Sequence, residues 1–121
     1  MAVKSILVVA DAQTDRARLE RIVSKAGYTI IRTSSGAEAL ASVVEEKPDL
    51  VLLDVVMDEM DGFRICRELS VNPDTRDIPI IMLSDKKQKV DRLWAEQQGA
   101  KELITKPYSS EDVLKQIRRF D

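Results

Sequence analysis

Five short apolar runs, at 5–10, 28–32, 50–53, 80–83 and 102–105, alternate along the chain with longer stretches in which apolar residues recur every three or four positions. The short runs read as strands and the periodic stretches as helices. Such alternation predicts parallel strands covered by helices on both faces, with the wholly apolar 50–53 at the centre. In the first helix Leu19, Ile22, Val23 and Ala26 share a face that stops at Gly27. The second carries Leu40, Val43 and Val44, begins with Ser35 and Glu38 at capping-box spacing, and ends before Pro48. A loop over 55–62 leads to a third helix bearing Phe63, Ile65, Cys66 and Leu69. A fourth places Val90, Leu93 and Trp94 on one inward stripe and closes near Gly99. The fifth opens with Ser109 and Asp112, again at capping-box spacing, and buries Val113, Leu114 and Ile117, with Arg118 and Arg119 complementing its dipole.

Linkers, low-complexity tracts and repeats are absent from the 121 residues, so one domain over 1–121 is expected. A formal net charge of -2 and a sequence pI near 5.3 argue against direct nucleic-acid binding. No apolar stretch approaches the roughly 18 residues needed to cross a bilayer, and Met1 to Ser5 lead straight into a strand-like run, so a cytoplasmic protein without membrane contact is expected. The single cysteine, Cys66, cannot form an internal disulfide and its spacing suits packing. Histidine is absent, which removes histidine-dependent triads, the commonest zinc sites and a phosphohistidine role.

What remains for chemistry is carboxylate, hydroxyl and ammonium, and these stand at strand ends. Asp11 follows the first strand, Asp54 the third, Ser84 the fourth and Lys106, before Pro107, the fifth. Strand ends on one side of a doubly wound α/β sheet of order 2-1-3-4-5 converge on a crevice, which puts Asp11 and Asp54 roughly 5 to 8 Å apart. Two ionised carboxylates at about 5 Å repel by about 3 kcal/mol at an effective dielectric near 20, which a bound cation, a raised pKa or the Lys106 ammonium must offset. Oxygen-only ligands suggest Mg²⁺, which also neutralises an incoming phosphoryl group and leaves the Asp54 carboxylate free to attack phosphorus. Ser84 is placed to hydrogen-bond a phosphoryl oxygen.

With those positions in hand the chain resembles, over essentially its whole length, the receiver domain of two-component response regulators of the stand-alone chemotaxis and motility type. The resemblance rests on Asp11, on Asp54-Val55-Val56-Met57 followed by Met60-Asp61-Gly62, on Ser84, on Gly99-Ala100 and on Lys106-Pro107-Tyr108. It implies a flavodoxin-like five-stranded parallel sheet with five helices, and phosphate acceptance by Asp54 from a histidine kinase. It further implies Mg²⁺ held by Asp11, Asp54 and the Val56 carbonyl, and phosphoryl contacts from Ser84 and Lys106. The implied output is a protein partner on the face of helix four, strand five and helix five, not turnover of a substrate. The segment 91–100 also resembles receivers of the type IV pilus pathway.

Four positions depart from the family pattern. Ala10 stands where a second acid usually precedes Asp11, so Mg²⁺ affinity is expected to be reduced. Asp58 and Asp85 replace residues that are commonly proline and small, crowding the acceptor with negative charge and slowing phosphorylation. Leu103 replaces the aromatic residue that usually switches rotamer, so switching is expected in the Ser84 loop and the helix around Trp94. Val56 and Lys86, near the acceptor in the resembled fold, offer no carboxylate or amide to orient an attacking water, which implies slow autodephosphorylation. These departures support an alternative, a degenerate receiver that binds partners without phosphoryl transfer. A redox protein or aspartate-dependent phosphatase on the same fold is disfavoured, because no glycine-rich cradle follows strand one and no second aspartate lies two residues beyond Asp11 or Asp54.

Overall fold

The computed structural model describes residues 2–10, 13–33, 36–54, 62–84 and 89–121. Five strands alternate with five helices. They are β1 (Ser5–Val9), α1 (Gln13–Lys25), β2 (Thr29–Arg32), α2 (Gly36–Glu46), β3 (Leu50–Asp54), α3 (Gly62–Val71), β4 (Ile80–Ser84), α4 (Lys89–Gln97), β5 (Glu102–Thr105) and α5 (Ser110–Arg118). The strands form one parallel sheet in the order β2-β1-β3-β4-β5, the expected doubly wound topology. Every residue of β3 and β4 is buried, as strands covered on both faces must be.

Alternation along the strands divides the core into two layers. Ile6, Val8, Leu50, Leu52, Ile81, Leu83 and Ile104 point towards α1 and α5, where they meet Leu19, Ile22, Val23, Val113 and Ile117. Leu7, Val9, Val51, Leu53, Met82 and Leu103 point the other way, towards Ala39, Val43, Ile65, Cys66, Leu69 and Ala95. Cys66 has the packing role its spacing suggests. Its Sγ approaches the Gln98 carbonyl at 3.3 Å, and burial pushes the thiol up to about 11.

Helix ends follow their residue chemistry. Ser109 caps α5, its hydroxyl accepting from the Asp112 amide at 3.1 Å while the Asp112 carboxylate accepts from the Ser109 amide at 2.9 Å. Gly27 and Gly99 follow α1 and α4 in left-handed conformations, with φ of 98° and 105°. A Cβ at Gly99 would collide with the Ser70 side chain, so that turn requires glycine for space as well as for conformation. The expected Ser35–Glu38 box includes Ser35, which lies outside the described residues.

Side-chain placement departs from expectation in three places. Leu93 and Trp94 were expected inside but are 50% and 44% exposed, and among the described side chains of α4 it is Ala95 that packs against the sheet. Ala26 and Val44 likewise face outwards. In each case three or four apolar positions leave two neighbouring faces available, and packing selects the one whose side chains fit beneath the helix. The side chains of Phe63 and Val90 lie outside the description.

Candidate functional site

The register brings the predicted groups to one edge of the sheet. Asp54 is the last residue of β3 and pairs with Leu83, while Ser84, the last of β4, pairs with Thr105. Lys106 comes next, and its backbone amide donates to the Ser84 carbonyl at 2.7 Å, tying the turn after β5 to the end of β4. Strand ends alone would leave Lys106 two strand spacings from Asp54. Its four-carbon stem closes that gap, and Nζ donates to Asp54 Oδ2 at 2.9 Å.

Asp54 is only 3% exposed and Ser84 is equally covered, whereas Lys106 is partly open to solvent. Burying a carboxyl group is costly unless complementary donors meet it, and Lys106 supplies one. The carboxylate is therefore fixed at the crevice with a cationic donor beside it. Ala10 is buried at the end of β1, one residue beyond the last β1–β3 pair, Val9 with Leu53. Asp11, Val56, Asp58, Asp85 and Lys86 lie outside the described residues, so the expected approach of Asp11 to Asp54 falls there too.

Two residues of α1 belong to this neighbourhood and were not anticipated. Asp15, in the first turn of α1, places Oδ2 3.8 Å from Lys106 Nζ, so the ammonium lies between two carboxylates. Arg18, one turn later, donates from Nη2 to the Tyr108 carbonyl at 2.8 Å and lays its guanidinium 4.7 Å from the Tyr108 ring centroid. Burial raises the Tyr108 phenol, Arg18 works against that rise, and Asp15 and Asp54 add to it. Acidic and basic residues opening a helix look in sequence like ordinary solvated positions. Only the fold places them against the Lys106-Pro107-Tyr108 turn, where the Lys106–Pro107 peptide is cis.

A hard cation needs oxygen donors, and of the three expected ligands the described residues supply the Asp54 carboxylate. Among the described residues no cluster of three or more His, Cys, Asp or Glu side chains converges on a point. The chemistry of this edge, a sequestered carboxylate with an ammonium and a hydroxyl on adjacent strand ends, is that of a carboxylate presented to an anionic electrophile.

Comparison with known proteins identifies the family. The sequence profile of the response regulator receiver domain matches residues 6–118. The chain belongs to the receiver-domain family of two-component response regulators. It is 37% identical over 112 residues to protein PilH of Pseudomonas aeruginosa, covering 93% of each chain, so this receiver matches a relative that is itself little more than a receiver. Longer regulators also match. The receiver spans about half the length of the alkaline phosphatase synthesis transcriptional regulatory protein PhoP of Bacillus subtilis, at 35% identity.

Among solved structures, chemotaxis protein CheY4 of Vibrio cholerae superposes with a TM-score of 0.91 at 26% identity, covering 98% of this chain and 99% of that one. The receiver domain of sensor histidine kinase PA1611 from P. aeruginosa PAO1, solved with a magnesium ion coordinated in its active site cleft, superposes at 0.88. At 24% identity, over 98% of this chain and 97% of that one, the latter likeness speaks for the fold. Among the described residues no helix of this receiver is long and apolar enough to cross a membrane.

Proposed function

We propose that this receiver accepts a phosphoryl group on Asp54 from a histidine kinase in a Mg²⁺-dependent reaction, and passes the signal to a protein partner in the cytoplasm. The observation that carries the proposal is the buried Asp54 carboxylate held 2.9 Å from Lys106 Nζ. In-line attack on phosphorus needs a carboxylate with a free lone pair, and cations to neutralise the entering phosphoryl oxygens. Lys106 contributes one of those cations, and the hydroxyl of Ser84 stands at the adjoining strand end to donate to the transferred group.

Mg²⁺, when bound, would supply the second cation. Asp54, Asp11 and the Val56 carbonyl would hold it, all through oxygen, as that ion prefers. The magnesium in the PA1611 receiver supports this assignment. The output face expected at α4, β5 and α5 gains support from the exposure of Leu93 and Trp94, since large apolar side chains left in water are candidate anchors for a partner. The receiver is proposed to signal through its phosphorylated state and to have no catalytic turnover of its own.

A second reading, a receiver that binds partners without phosphoryl transfer, is favoured by Ala10, an apolar side chain buried where an additional acid would assist the ion. The test is mass spectrometry after incubation with acetyl phosphate and Mg²⁺. Covalent phosphate is expected on Asp54, abolished by Asp54→Asn and by chelation of Mg²⁺. An unlabelled Asp54 at saturating donor would reject the first reading in favour of the second.

A further inference from the structure

On the flank of the sheet covered by α1 and α5 lies a groove of about 700 Å³, lined in part by Arg18, Arg21, Lys25, Tyr28, Leu114 and Arg118. Its walls are cationic and its floor apolar, the latter formed by Ile22, Leu114 and the body of Tyr28. Four cations face Asp121, whose side-chain carboxylate is already engaged by the Tyr28 hydroxyl at 3.0 Å and the Val3 amide at 3.1 Å. In a chain whose net charge is -2, this concentration of positive charge is local and specific.

The cations are not arranged as a self-satisfied surface. Arg18, Arg21 and Lys25 follow one another at i, i+3 and i+7 on one face of α1, a spacing at which like charges repel. The acid that interrupts them, Glu20, is directed to Arg32 of β2 at 3.2 Å. Arg118 pairs with Glu111, but Arg21 and Lys25 have no ion pair among the described residues. Lys25 and Arg118 suit the ends of their helices through the dipole, an account that leaves Arg21 unexplained.

We propose that this groove is a docking site for an acidic peptide segment that also carries apolar side chains. Carboxylates of the segment would pair with Arg21, Lys25 and Arg118, while its apolar side chains would cover Ile22, Leu114 and the Tyr28 ring. A concave floor between two helices suits an inserted side chain, whereas a bilayer would call for a flat or convex basic face. Arg18 lines the groove and also holds the Tyr108 carbonyl, two residues from Lys106. An occupant that recruits Arg18 would therefore act on the turn that carries the Asp54 partner.

The test is selection of a random dodecapeptide display library on the intact receiver, with counter-selection on Arg21→Glu/Lys25→Glu, and NMR mapping of a selected peptide. Expected is enrichment of sequences combining Asp or Glu with Leu, Ile or Phe, amide shifts confined to α1 and α5, and at least tenfold weaker binding to the double variant. Peptides that bind the double variant equally well, or no enrichment at all, would overturn the proposal. So would sedimentation with phosphatidylglycerol vesicles without peptide enrichment, which would assign the groove to a membrane surface. Circular dichroism of the double variant guards against misfolding, and Leu114→Gln, which keeps all four cations, supplies an independent loss of affinity. None of these measurements needs a phosphoryl donor, so docking and phosphate acceptance succeed or fail separately.

Discussion

Helices α4 and α5 are both nine residues long and flank the same edge of the sheet, yet they are held in different ways. α5 drives Val113 and Ile117 into the core behind a complete capping box. Among its described side chains α4 offers the sheet Ala95, while Leu93 and Trp94 are about half exposed. Burying an isoleucine is worth about 2 to 3 kcal/mol and a methyl group about 0.8. Judged by the described side chains alone, the half of α4 from Leu93 onward contributes less buried apolar surface than α5 does. α5 is the helix more firmly tied to the core among the described residues.

The largest effect that sharpens this contrast is in the core. Ile117→Ala is expected to cost about 2 to 5 kcal/mol in urea unfolding, whereas Leu93→Ala should stay within about 0.5 kcal/mol. Equal losses would break the distinction. The helix stop behind α4 comes next, with α1 as its reference. Gly27→Ala meets only the cost of its positive φ, about 1 to 2 kcal/mol, since nothing lies within 4 Å of the new Cβ. Gly99→Ala adds the collision with Ser70 and should exceed it by about 1 kcal/mol or more in the same assay.

Smaller still is the cap of α5, where Ser109→Ala should lower stability by about 1 kcal/mol and Ser109→Asp should restore most of it. The smallest effect lies outside both helices. Asp49 accepts from the amides of Ser5 at 3.0 Å and Lys4 at 2.8 Å, and these bonds hold its carboxyl below the usual carboxylate range. A depressed folded value stabilises above the ordinary carboxylate pKa, and that contribution disappears as pH falls through the folded value. Asp49→Asn should thus cost less than about 1 kcal/mol at neutral pH, and the difference from the parent should shrink as pH falls below the ordinary carboxylate range in pH-dependent urea melts. Because it ties the start of β1 to the approach to β3, this change should leave the α4–α5 contrast intact.

Strand positions were legible because the parallel strands are buried on both sides, so uninterrupted apolar runs such as 50–53 and 80–83 have few other meanings. The strand-end charges were legible for the same reason, Asp54 and Lys106 being the first ionised side chains after such runs. Helix faces were harder to read. Leu93 and Trp94 carry a stronger apolar signal than Ala95, yet the space beneath α4 takes the small residue. Asp15 and Arg18 left no signal, since their roles depend on a turn about ninety positions away in sequence.

Cys66 is sealed between α3 and the sheet, with its proton held well above neutrality. A maleimide in neutral solution consequently finds neither access nor thiolate until that helix parts from the strands beneath it. The molecule thus carries its own clock, because the pace of modification at this lone thiol counts how often the layer lifts, with no dye or engineered reporter required.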